Sequence, residues 1–598
     1  MKYVLVSVAA ILLVVACSRR DPALVREAQA FIDQYTAQYL ELQYVSAEAE
    51  WQSNTRIIEG DTTNAARTNR ANESLAAFTG SVNNIAQAQK YLQSKGTLEP
   101  LQVKQLEAIL YAAANNPATV ADLVKERIAA ETAQVEALYG FDFQLDGQTV
   151  STNHLDQLLW ESDDINERRA AWEASKEVGR GLKAGLGNLV RLRNATVQSL
   201  GYSDYFQYQV SDYGLTTVEM IELMDKFNRE LRPLYRELHT YFRFHLAQKY
   251  GEPVPDLLPA HWLPNRWGQD WTQLVKVEGL DLDAALAGRH PEWLVRQAER
   301  FYISLGYSAL PESFYELSSL YPLRAGATYK KNNHASAWHM DLETDIRSLM
   351  SVEPNASWYE TTHHELGHIY YFMAYTNPDV PPLLRDGANR GYHEAIGSLM
   401  GLAAMQQPFV ESIGLIEAGA PVDRIQTLLK EALNYVVFIP WSCGVMTYFE
   451  HDLYAQPLPG EQYNRRWWDL KARFQGIAPP AQRGEEYCDA ASKTHINNDA
   501  AQYYDYAISN ILLFQLHDHI ATEILGQDPH ATNYFGSREV GEFLWSILET
   551  GAAADWRTLL KEKTGEDMSA RAMLAYFQPL LQWLQEQNLG REHTLPEL

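Results

Sequence analysis

The segment 361–369 contains two histidines and a glutamate in an arrangement that could hold and use a metal ion. It includes the letters H-E-L-G-H, in which His364 and His368 are four positions apart and Glu365 follows the first histidine. On an α-helix, positions i and i+4 lie on one face, so both imidazoles can reach one metal ion. Glu365 would lie beside that ion, where a carboxylate can take a proton from a water that the metal acidifies. The pattern therefore favours zinc-dependent hydrolysis over zinc storage.

A third candidate ligand, Glu394, lies in a second acidic motif, G-Y-H-E-A-I-G, at 391–397. Segment 377–391 is rich in proline and glycine, which predicts a loop that returns a second helix to the metal. Two histidines and one carboxylate leave one coordination position open. An open position is typical of catalytic zinc sites, whereas structural sites take all four ligands from the protein.

The elements that must position these residues are mostly helices. Apolar residues recur at intervals of three and four in long segments, whereas the alternation typical of strands is scarce. The metal motif itself lies in an apolar and aromatic helical segment that covers residues 356–375. The other clearest predicted helices cover residues 24–49, 101–113, 120–138, 165–198, 217–250 and 425–437. Residues 325–339, before the metal helix, are the best candidate for a strand, with which a bound peptide could pair. The sequence predicts a mainly α-helical fold.

Composition and charge limit the classes of protein to consider. The 598-residue chain is 46% hydrophobic and 21% charged, which is typical of a soluble globular protein with a large core. Its formal net charge of −26 argues against nucleic-acid binding, because phosphates would be repelled. The same charge is compatible with positively charged substrates or with solubility alone.

The N-terminus carries a predicted export signal. Lys2 precedes a run at 3–16 that is apolar apart from one serine and is too short to span a bilayer comfortably. The run ends V-V-A-C, which resembles the lipobox of bacterial lipoproteins, so we predict a signal peptide at 1–16 and lipidation of Cys17. Ser18 is not the aspartate associated with inner-membrane retention, which favours anchoring to the outer membrane, on its periplasmic face. An ordinary secretory signal is the alternative, and either signal exports the protein.

The rest of the sequence predicts no second membrane attachment. No later stretch reaches the roughly 18 uncharged apolar residues of a spanning helix. Once Cys17 is lipidated, Cys443 and Cys488 are the only remaining thiols, and they lack the C-x-x-C spacing of a zinc site. In an oxidising compartment these two cysteines could form a disulfide or stay apart.

Further motifs, in order along the chain, resemble those of one family. They are L-P-A-H at 258–261, W-G-Q-D-W at 267–271, H-A-S-A-W at 334–338, W-W at 467–468, Q-G at 475–476, K-T-H-I at 493–496 and Y-Y-D-Y at 503–506. With H-E-x-x-H, they make the chain resemble the angiotensin-converting-enzyme family of zinc peptidyl-dipeptidases over about residues 25–590. The resemblance implies a single catalytic domain at 17–598, a helical ellipsoid of two subdomains around a deep central cleft. It also implies one zinc ion per chain, on His364, His368 and Glu394, and short peptides with a free C-terminus as substrates.

The resemblance implies a role in amide hydrolysis for each matching residue near the metal. Glu365 would be the general base, and Tyr506 would donate a hydrogen bond to the oxyanion of the tetrahedral intermediate. His334 and His495 would hold substrate carbonyls near the scissile bond. Ala335 would pair with the substrate through its own backbone.

A second matching group would bind the C-terminal carboxylate of the substrate. It consists of Gln269, Lys493 and Tyr503, and one cation with two neutral donors suits a carboxylate. Located two residues beyond the scissile bond, such a group would make the enzyme release dipeptides.

Three features differ from the family pattern. Ser398 stands where the resemblance implies an aspartate that orients a zinc histidine, which predicts weaker zinc binding. Asp505 and Lys471 stand where the family has arginines that bind chloride, so we expect activity without chloride. Asn333 and Ser351 replace the cysteines of a disulfide beside the H-A-S-A-W segment, so packing must hold that loop.

The sequence therefore favours an exported zinc peptidyl-dipeptidase of unknown oligomeric state. One alternative is a zinc endopeptidase or carboxypeptidase on a similar helical scaffold. Another is a lipoprotein that binds peptides without cleaving them. Intact Glu365 and Tyr506 argue against a pure binder, whereas Ser398 is the one feature in its favour.

Overall fold

The fold is mainly α-helical, which confirms the predicted class. The computed structural model describes residues 21–58, 60–277 and 282–598, so the predicted signal peptide and Cys17 lie outside the described residues. The helices before the metal motif are α1 (Pro22–Thr55), α2 (Thr63–Thr79), α3 (Val82–Leu92), α4 (Pro100–Ala114), α5 (Ala121–Tyr139), α6 (Thr152–Glu161), α7 (Ile165–Lys176), α8 (Val178–Gln198), α9 (Tyr205–Ser211), α10 (Thr217–Tyr250), α11 (Leu282–Leu286), α12 (Pro291–Ser304) and α13 (Glu312–Leu317). The later helices are α14 (Ala356–Tyr375), α15 (Arg390–Met405), α16 (Gln407–Ser412), α17 (Arg424–Ile439), α18 (Thr447–Tyr454), α19 (Tyr463–Leu470), α20 (Thr494–Asn497), α21 (Tyr504–His519), α22 (Arg538–Leu548), α23 (Trp556–Thr564), α24 (Arg571–Tyr576) and α25 (Gln578–Gln587).

Local signals explain the boundaries of the long helix α10, which begins and ends where the sequence predicts. Thr216 and Glu219 form a capping box that satisfies backbone N–H groups at its start. Gly251 ends the helix with φ 67°, in the left-handed region that glycine adopts without strain.

The single helix predicted at 165–198 is instead divided at Glu177 into α7 and α8. In the first turn of α8, Gly179 lies against the backbone of Cys488, whose oxygen would be 2.1 Å from an added Cβ. This close approach is a long-range packing contact, and helical periodicity alone cannot reveal it.

The strands are short and form three two-stranded pairs within the described residues. They are β1 (Phe143–Leu145), β2 (Gln148–Val150), β3 (Leu258–Pro259), β4 (Ser336–His339), β5 (Ile346–Leu349) and β6 (Ile477–Ala478). β4 runs antiparallel to β5, with Ser336 opposite Leu349. The strand predicted at 325–339 is therefore too long, because only its last four residues form a strand. Before them, Lys330 pairs with Ile57 at the end of α1.

One continuous apolar core extends from Ala114 to Leu595, and a smaller cluster joins α1, α3 and α4. Helices α14, α15 and α21 lie in the main core, where α15 packs against both of the others. Because each of these three helices carries predicted site residues, the core fixes the relative positions of those residues.

Contrary to the expectation that no later stretch is long and apolar enough to cross a membrane, the segment Arg424–Tyr454, which contains α17 and α18, qualifies by length and composition alone. It is 31 residues long, and 78% of its most apolar window is buried inside the protein. A π-helical turn, Pro440–Met446, joins its two helices. Such burial is typical of a core helix in a soluble protein.

Candidate active site

Two glycines allow α14 and α15 to approach each other closely at the predicted metal site. A Cβ on Gly367 would lie 3.0 Å from the Cα of Gly397, and a Cβ on Gly397 would lie 2.9 Å from Nε2 of His364. Larger residues at either position would push the helices apart. The close approach brings His364 and His368 of α14 next to Glu394, in the second turn of α15.

The three predicted ligands converge on one point. The Nε2 atoms of His364 and His368 are 3.1 Å apart, and Nε2 of His364 is 3.7 Å from Oε2 of Glu394. All three ligand atoms lie within 4.8 Å of one another. Zinc–ligand bonds of about 2.0–2.1 Å at tetrahedral angles place ligand atoms about 3.3–3.4 Å apart. The residues therefore fit one zinc ion.

Burial keeps both histidines neutral, which is the form that binds a metal. It lowers the pKa of His364 to about 4. It also lowers the pKa of His368 well below the ordinary value, an effect to which the neighbouring His364 adds. At neutral pH each imidazole therefore has one unprotonated nitrogen, whose lone pair can bind a metal ion.

Two side chains orient the ring nitrogens that face away from the metal position. Oγ of Ser398 is 3.5 Å from Nδ1 of His364, so the predicted partner is present but at the long limit of a hydrogen bond. Nδ1 of His393 is 2.8 Å from Nδ1 of His368. His393 can accept from His368 there and fix its tautomer. Sequence reasoning missed His393, although its position directly before Glu394 was the available signal.

Glu365 is buried beside these ligands, with 6% of the residue exposed. Its Oε2 atom has no hydrogen-bond partner among the described residues. Burial, with repulsion from Glu394, raises the pKa of Glu365 to about 8. A nearby metal cation would oppose this rise by attraction, and a water molecule would satisfy the orphaned oxygen. Both properties suit a general base that exchanges protons with a water at the metal.

The predicted oxyanion residue lies close to one of the two predicted carbonyl-binding histidines. The hydroxyl of Tyr506, in the first turn of α21, is 3.5 Å from Nε2 of His495. Nδ1 of His495 is buried without a partner among the described residues. His334 is exposed, and its charge would act on Glu394. Ala335 lies directly before β4, and so its backbone is next to the strand rather than within it.

Lys493, Gln269 and Tyr503 form the predicted carboxylate-binding group. Nζ of Lys493 donates to Oε1 of Gln269 at 2.9 Å, and the Tyr503 hydroxyl donates to the same oxygen at 3.4 Å. The ammonium lies 4.3 Å from the centre of the Trp267 ring and 5.8 Å from that of Trp441. Only 5% of Lys493 is exposed, and burial lowers its pKa to about 7. The group thus contains a buried amine that takes up its proton near neutral pH and has no carboxylate partner among the described residues.

The carboxylate-binding group adjoins the oxyanion group through aromatic contacts. The ring centroid of Tyr503 is 5.0 Å from that of His495 and 5.0 Å from that of Tyr506. A peptide whose C-terminus reached Lys493 would therefore have an upstream carbonyl near Tyr506.

The lysine that replaces a family arginine is satisfied without an added anion. Nζ of Lys471 donates to the Trp267 carbonyl at 2.5 Å and to Oε1 of Gln475 at 2.7 Å. Its charge also lies near the buried carboxylate of Asp489.

The loop before β4 is held by hydrogen bonds as well as by packing, which corrects the expectation of packing alone. Oγ of Ser351 donates to Oδ1 of Asn333 at 3.3 Å. Nζ of Lys331, which is buried, donates to the backbone carbonyls of Ser319, Tyr321 and Met350 at 3.1, 2.6 and 2.5 Å. An ammonium group thus fastens the segment that leads to His334 and Ala335.

The two described cysteines, Cys443 and Cys488, are both buried and free. Of the two alternatives that the sequence left open, the structure favours separate thiols. Burial raises the pKa of both, so neither is an activated thiolate.

Comparison with known proteins identifies the family. The family model described as angiotensin-converting enzyme matches residues 23–595. The chain belongs to the angiotensin-converting enzyme family. This family consists of zinc-dependent metallopeptidases of the peptidyl-dipeptidase type that act on short peptides.

Several members of the angiotensin-converting enzyme family are similar to this chain at low identity. The angiotensin-converting enzyme-related protein of Drosophila melanogaster is 32% identical over 73% of this chain and 71% of its own length. The angiotensin-converting enzyme of Theromyzon tessulatum is 27% identical over 92% of this chain and 91% of its own length. The angiotensin-converting enzyme of Bos taurus is 33% identical over 70% of this chain, but the match spans only 33% of the bovine protein.

Proposed function

We propose that this protein is an exported zinc peptidyl-dipeptidase, which removes dipeptides from the free C-terminus of short peptides. The observation that carries this proposal is the buried Lys493 ammonium, held beside Gln269 and Tyr503 without a carboxylate partner among the described residues. A buried unpaired charge is costly, and a ligand carboxylate would relieve that cost with a charge-assisted hydrogen bond.

The distance from the carboxylate-binding group to the reacting bond would set the length of the product. Tyr503 contacts both His495 and Tyr506. The C-terminal carboxylate on Lys493 would then place the bond between the second and third residues from the C-terminus next to Glu365. His334 and the backbone of Ala335 would hold the peptide in an extended conformation, as strand addition does.

The residues around the metal ligands support a general acid–base mechanism. When bound by His364, His368 and Glu394, a zinc ion supplies Lewis-acid polarisation and lowers the pKa of a water. Glu365 would remove a proton from the attacking water and later return it to the leaving amine. The Tyr506 hydroxyl would donate to the oxyanion that forms.

His495 would support the hydroxyl of Tyr506 from 3.5 Å. Loss of an oxyanion donor such as the Tyr506 hydroxyl typically lowers kcat by about 10²–10³. His495 and Tyr506 are half-buried, which limits their contact with bulk water and would strengthen electrostatic contacts during the reaction.

The proposed location is the periplasmic face of a bacterial outer membrane, with Cys17 as a lipid anchor. This part of the proposal rests on the apolar run at 3–16 and the V-V-A-C motif. Metabolic labelling with a fatty acid should mark the protein, and a Cys17→Ala variant should lose the label. Labelling that survives in the variant would contradict anchoring through this cysteine.

Product analysis on a blocked tripeptide and its C-terminal amide tests the reaction. The free acid should release a dipeptide, the amide should be cleaved poorly, and a chelator should abolish both reactions. Glu365→Gln should abolish cleavage without removing zinc. Glu299→Gln is a matched control, because Glu299 is also 6% exposed but lies in α12.

The alternatives give different results in the same assay. Release of a single amino acid would indicate a carboxypeptidase. Equal cleavage of acid and amide would indicate an endopeptidase. Saturable binding without any product would indicate a peptide-binding protein, in line with the long contact from Ser398 to His364.

A further inference from the structure

A buried carboxylate lies directly before the predicted oxyanion residue. Asp505 is 2% exposed and precedes Tyr506 in the first turn of α21. Its Oδ1 accepts a hydrogen bond from the Tyr213 hydroxyl at 2.7 Å, and its Oδ2 is 3.5 Å from Nε of Arg390. A buried carboxylate is costly unless it is paired and hydrogen-bonded, and here both partners are present.

Arg390 connects this carboxylate to the helix that carries a metal ligand. It is the first residue of α15, one turn before Glu394. Its guanidinium also lies 3.3 Å from Asp499 and donates to Oε1 of Gln502 at 2.7 Å. Arg390 thus joins the start of α15 to the loop before α21 as well as to α21 itself.

Tyr213 provides a second connection between the same two helices. Its hydroxyl accepts from the backbone N–H of Gly391 at 3.0 Å and donates to Asp505. Gly391 follows Arg390 at the start of α15, where backbone N–H groups lack partners within the helix. The carboxylate of Asp505 is therefore contacted by two groups. Arg390 belongs to the first turn of α15, and the Tyr213 hydroxyl is hydrogen-bonded to that turn.

The charges around Arg390 make it the central cation of this region. Asp499 and Asp505 are in direct contact with it, and the carboxylates of Asp212 and Asp386 also act on it electrostatically. A single arginine thus balances several acidic groups. Its removal would leave Asp505 buried and without a cationic partner among the described residues.

We propose that Arg390 is a positioning residue that acts through Asp505 to set the position of the Tyr506 hydroxyl relative to the metal ligand Glu394. This inference rests on the proposed peptidase function. Arg390 and Glu394 lie on one face of α15, one turn apart, and Asp505 and Tyr506 are neighbours on α21. A shift of the Arg390–Asp505 contact would therefore change the distance between the oxyanion donor and the metal. Small misplacements of this kind lower kcat strongly and leave substrate binding nearly intact.

The same geometry gives a specific way to test the carboxylate. Asp505→Ala would leave a small cavity lined by the Arg390 guanidinium and the Tyr213 hydroxyl, which are both hydrogen-bond donors to anions. Formate has the size and charge of the lost group and should occupy this cavity. Chloride, which is also small, should do so less well because it cannot form two directional contacts at once.

The experiment measures kcat and KM of the full-length, zinc-loaded protein on a blocked tripeptide at constant ionic strength. Asp505→Ala should lower kcat at least tenfold with KM changed by less than twofold, and formate should restore kcat saturably. Arg390→Met should lower kcat to a similar degree, and formate should not restore it. Glu237→Ala is the matched control, since Glu237 is also buried and hydrogen-bonded, to Asn588 at 2.8 Å, but lies in α10. Its kcat should be unchanged, with or without formate.

Several outcomes would overturn the proposal. These are an unchanged kcat in Asp505→Ala, a loss expressed in KM alone, or restoration by formate in the absence of Arg390.

If Asp505→Ala does not fold, Asp505→Asn keeps the shape, and its kcat should still fall. Formate should also raise the Tm of Asp505→Ala but not that of the Asp505→Ala, Arg390→Met double variant. A wild-type protein without peptidase activity would refute the proposed function and the role of Tyr506, whereas this Tm response would still support the Arg390–Asp505 contact.

Discussion

Replacement of Lys493 by methionine tests how the protein recognises a peptide C-terminus. The variant keeps the length and the apolar stem of the side chain but removes the charge that lies 2.9 Å from Gln269. A hydrogen bond to a charged group contributes about 1.5–3 kcal/mol, which corresponds to about 10–150-fold in kcat/KM. We expect a loss at least this large for a free-acid substrate, because its carboxylate would be buried without a cation.

The C-terminal amide of the same peptide separates recognition from general damage. An amide carries no charge for Lys493 to bind, so its slow cleavage should change by less than about threefold in Lys493→Met. Lys471→Met is a suitable control, since this buried ammonium is already satisfied by Trp267 and Gln475. The control should leave the ratio of acid to amide cleavage unchanged. Equal losses for acid and amide in Lys493→Met would refute the carboxylate-binding role.

The same variant should make the free protein more stable. The pKa of Lys493 is lowered from 10.5 to about 7 by burial, so the folded protein binds its proton less readily than the unfolded chain does. A shift of this size corresponds to about 4–5 kcal/mol of destabilisation, fully present below pH 7 and lost as the pH rises to 10.5. Lys493→Met should therefore raise the Tm at pH 6–7 and have a smaller effect at pH 9–10. A Tm increase that does not shrink with pH would contradict this explanation.

The remaining predictions concern the metal and its surroundings. Ser398→Asp should tighten zinc binding about 10–100-fold, because a carboxylate accepts more strongly than the hydroxyl that now lies 3.5 Å from His364; competition with a chelator measures this, and unchanged affinity would contradict it. His393→Phe should weaken zinc binding by a similar factor, because it removes the acceptor 2.8 Å from His368, and a variant that holds zinc as tightly as the wild type would refute that role. Replacement of acetate by chloride should change kcat of the wild type by less than twofold, because the buried Asp505 side chain already lies beside the oxyanion tyrosine and contacts Arg390. A severalfold rise would show that chloride is needed.

The sequence predicted the elements whose signals are local and left out those that depend on distant contacts. The long helix α10 and the metal helix α14 follow the predicted limits, because apolar periodicity and end signals lie within the segments themselves. The strand at 325–339 was predicted too long, because its first part is held by contacts with α1 and by Lys331 rather than by a neighbouring strand.

In the candidate site, too, residues with local sequence signals were predicted, whereas residues that depend on distant contacts were not. His364 and His368 were predicted from helical spacing, and the structure brings them together with Glu394 from another helix. His393 and Arg390 were not predicted, because their importance comes from partners that are distant in the sequence. No pattern within α15 indicates that Arg390 faces a carboxylate of α21.

The hydrogen bonds of the Lys331 ammonium bear on the redox conditions under which the segment before β4 can fold. It fastens the segment before β4 to Ser319 and Met350 without any sulfur chemistry, and both described cysteines are buried thiols. Strand β4 therefore needs neither an oxidant nor a disulfide isomerase to reach its final position. A reducing agent should leave this part of the fold intact, so an oxidising and a reducing compartment should serve equally well for the folding of this segment.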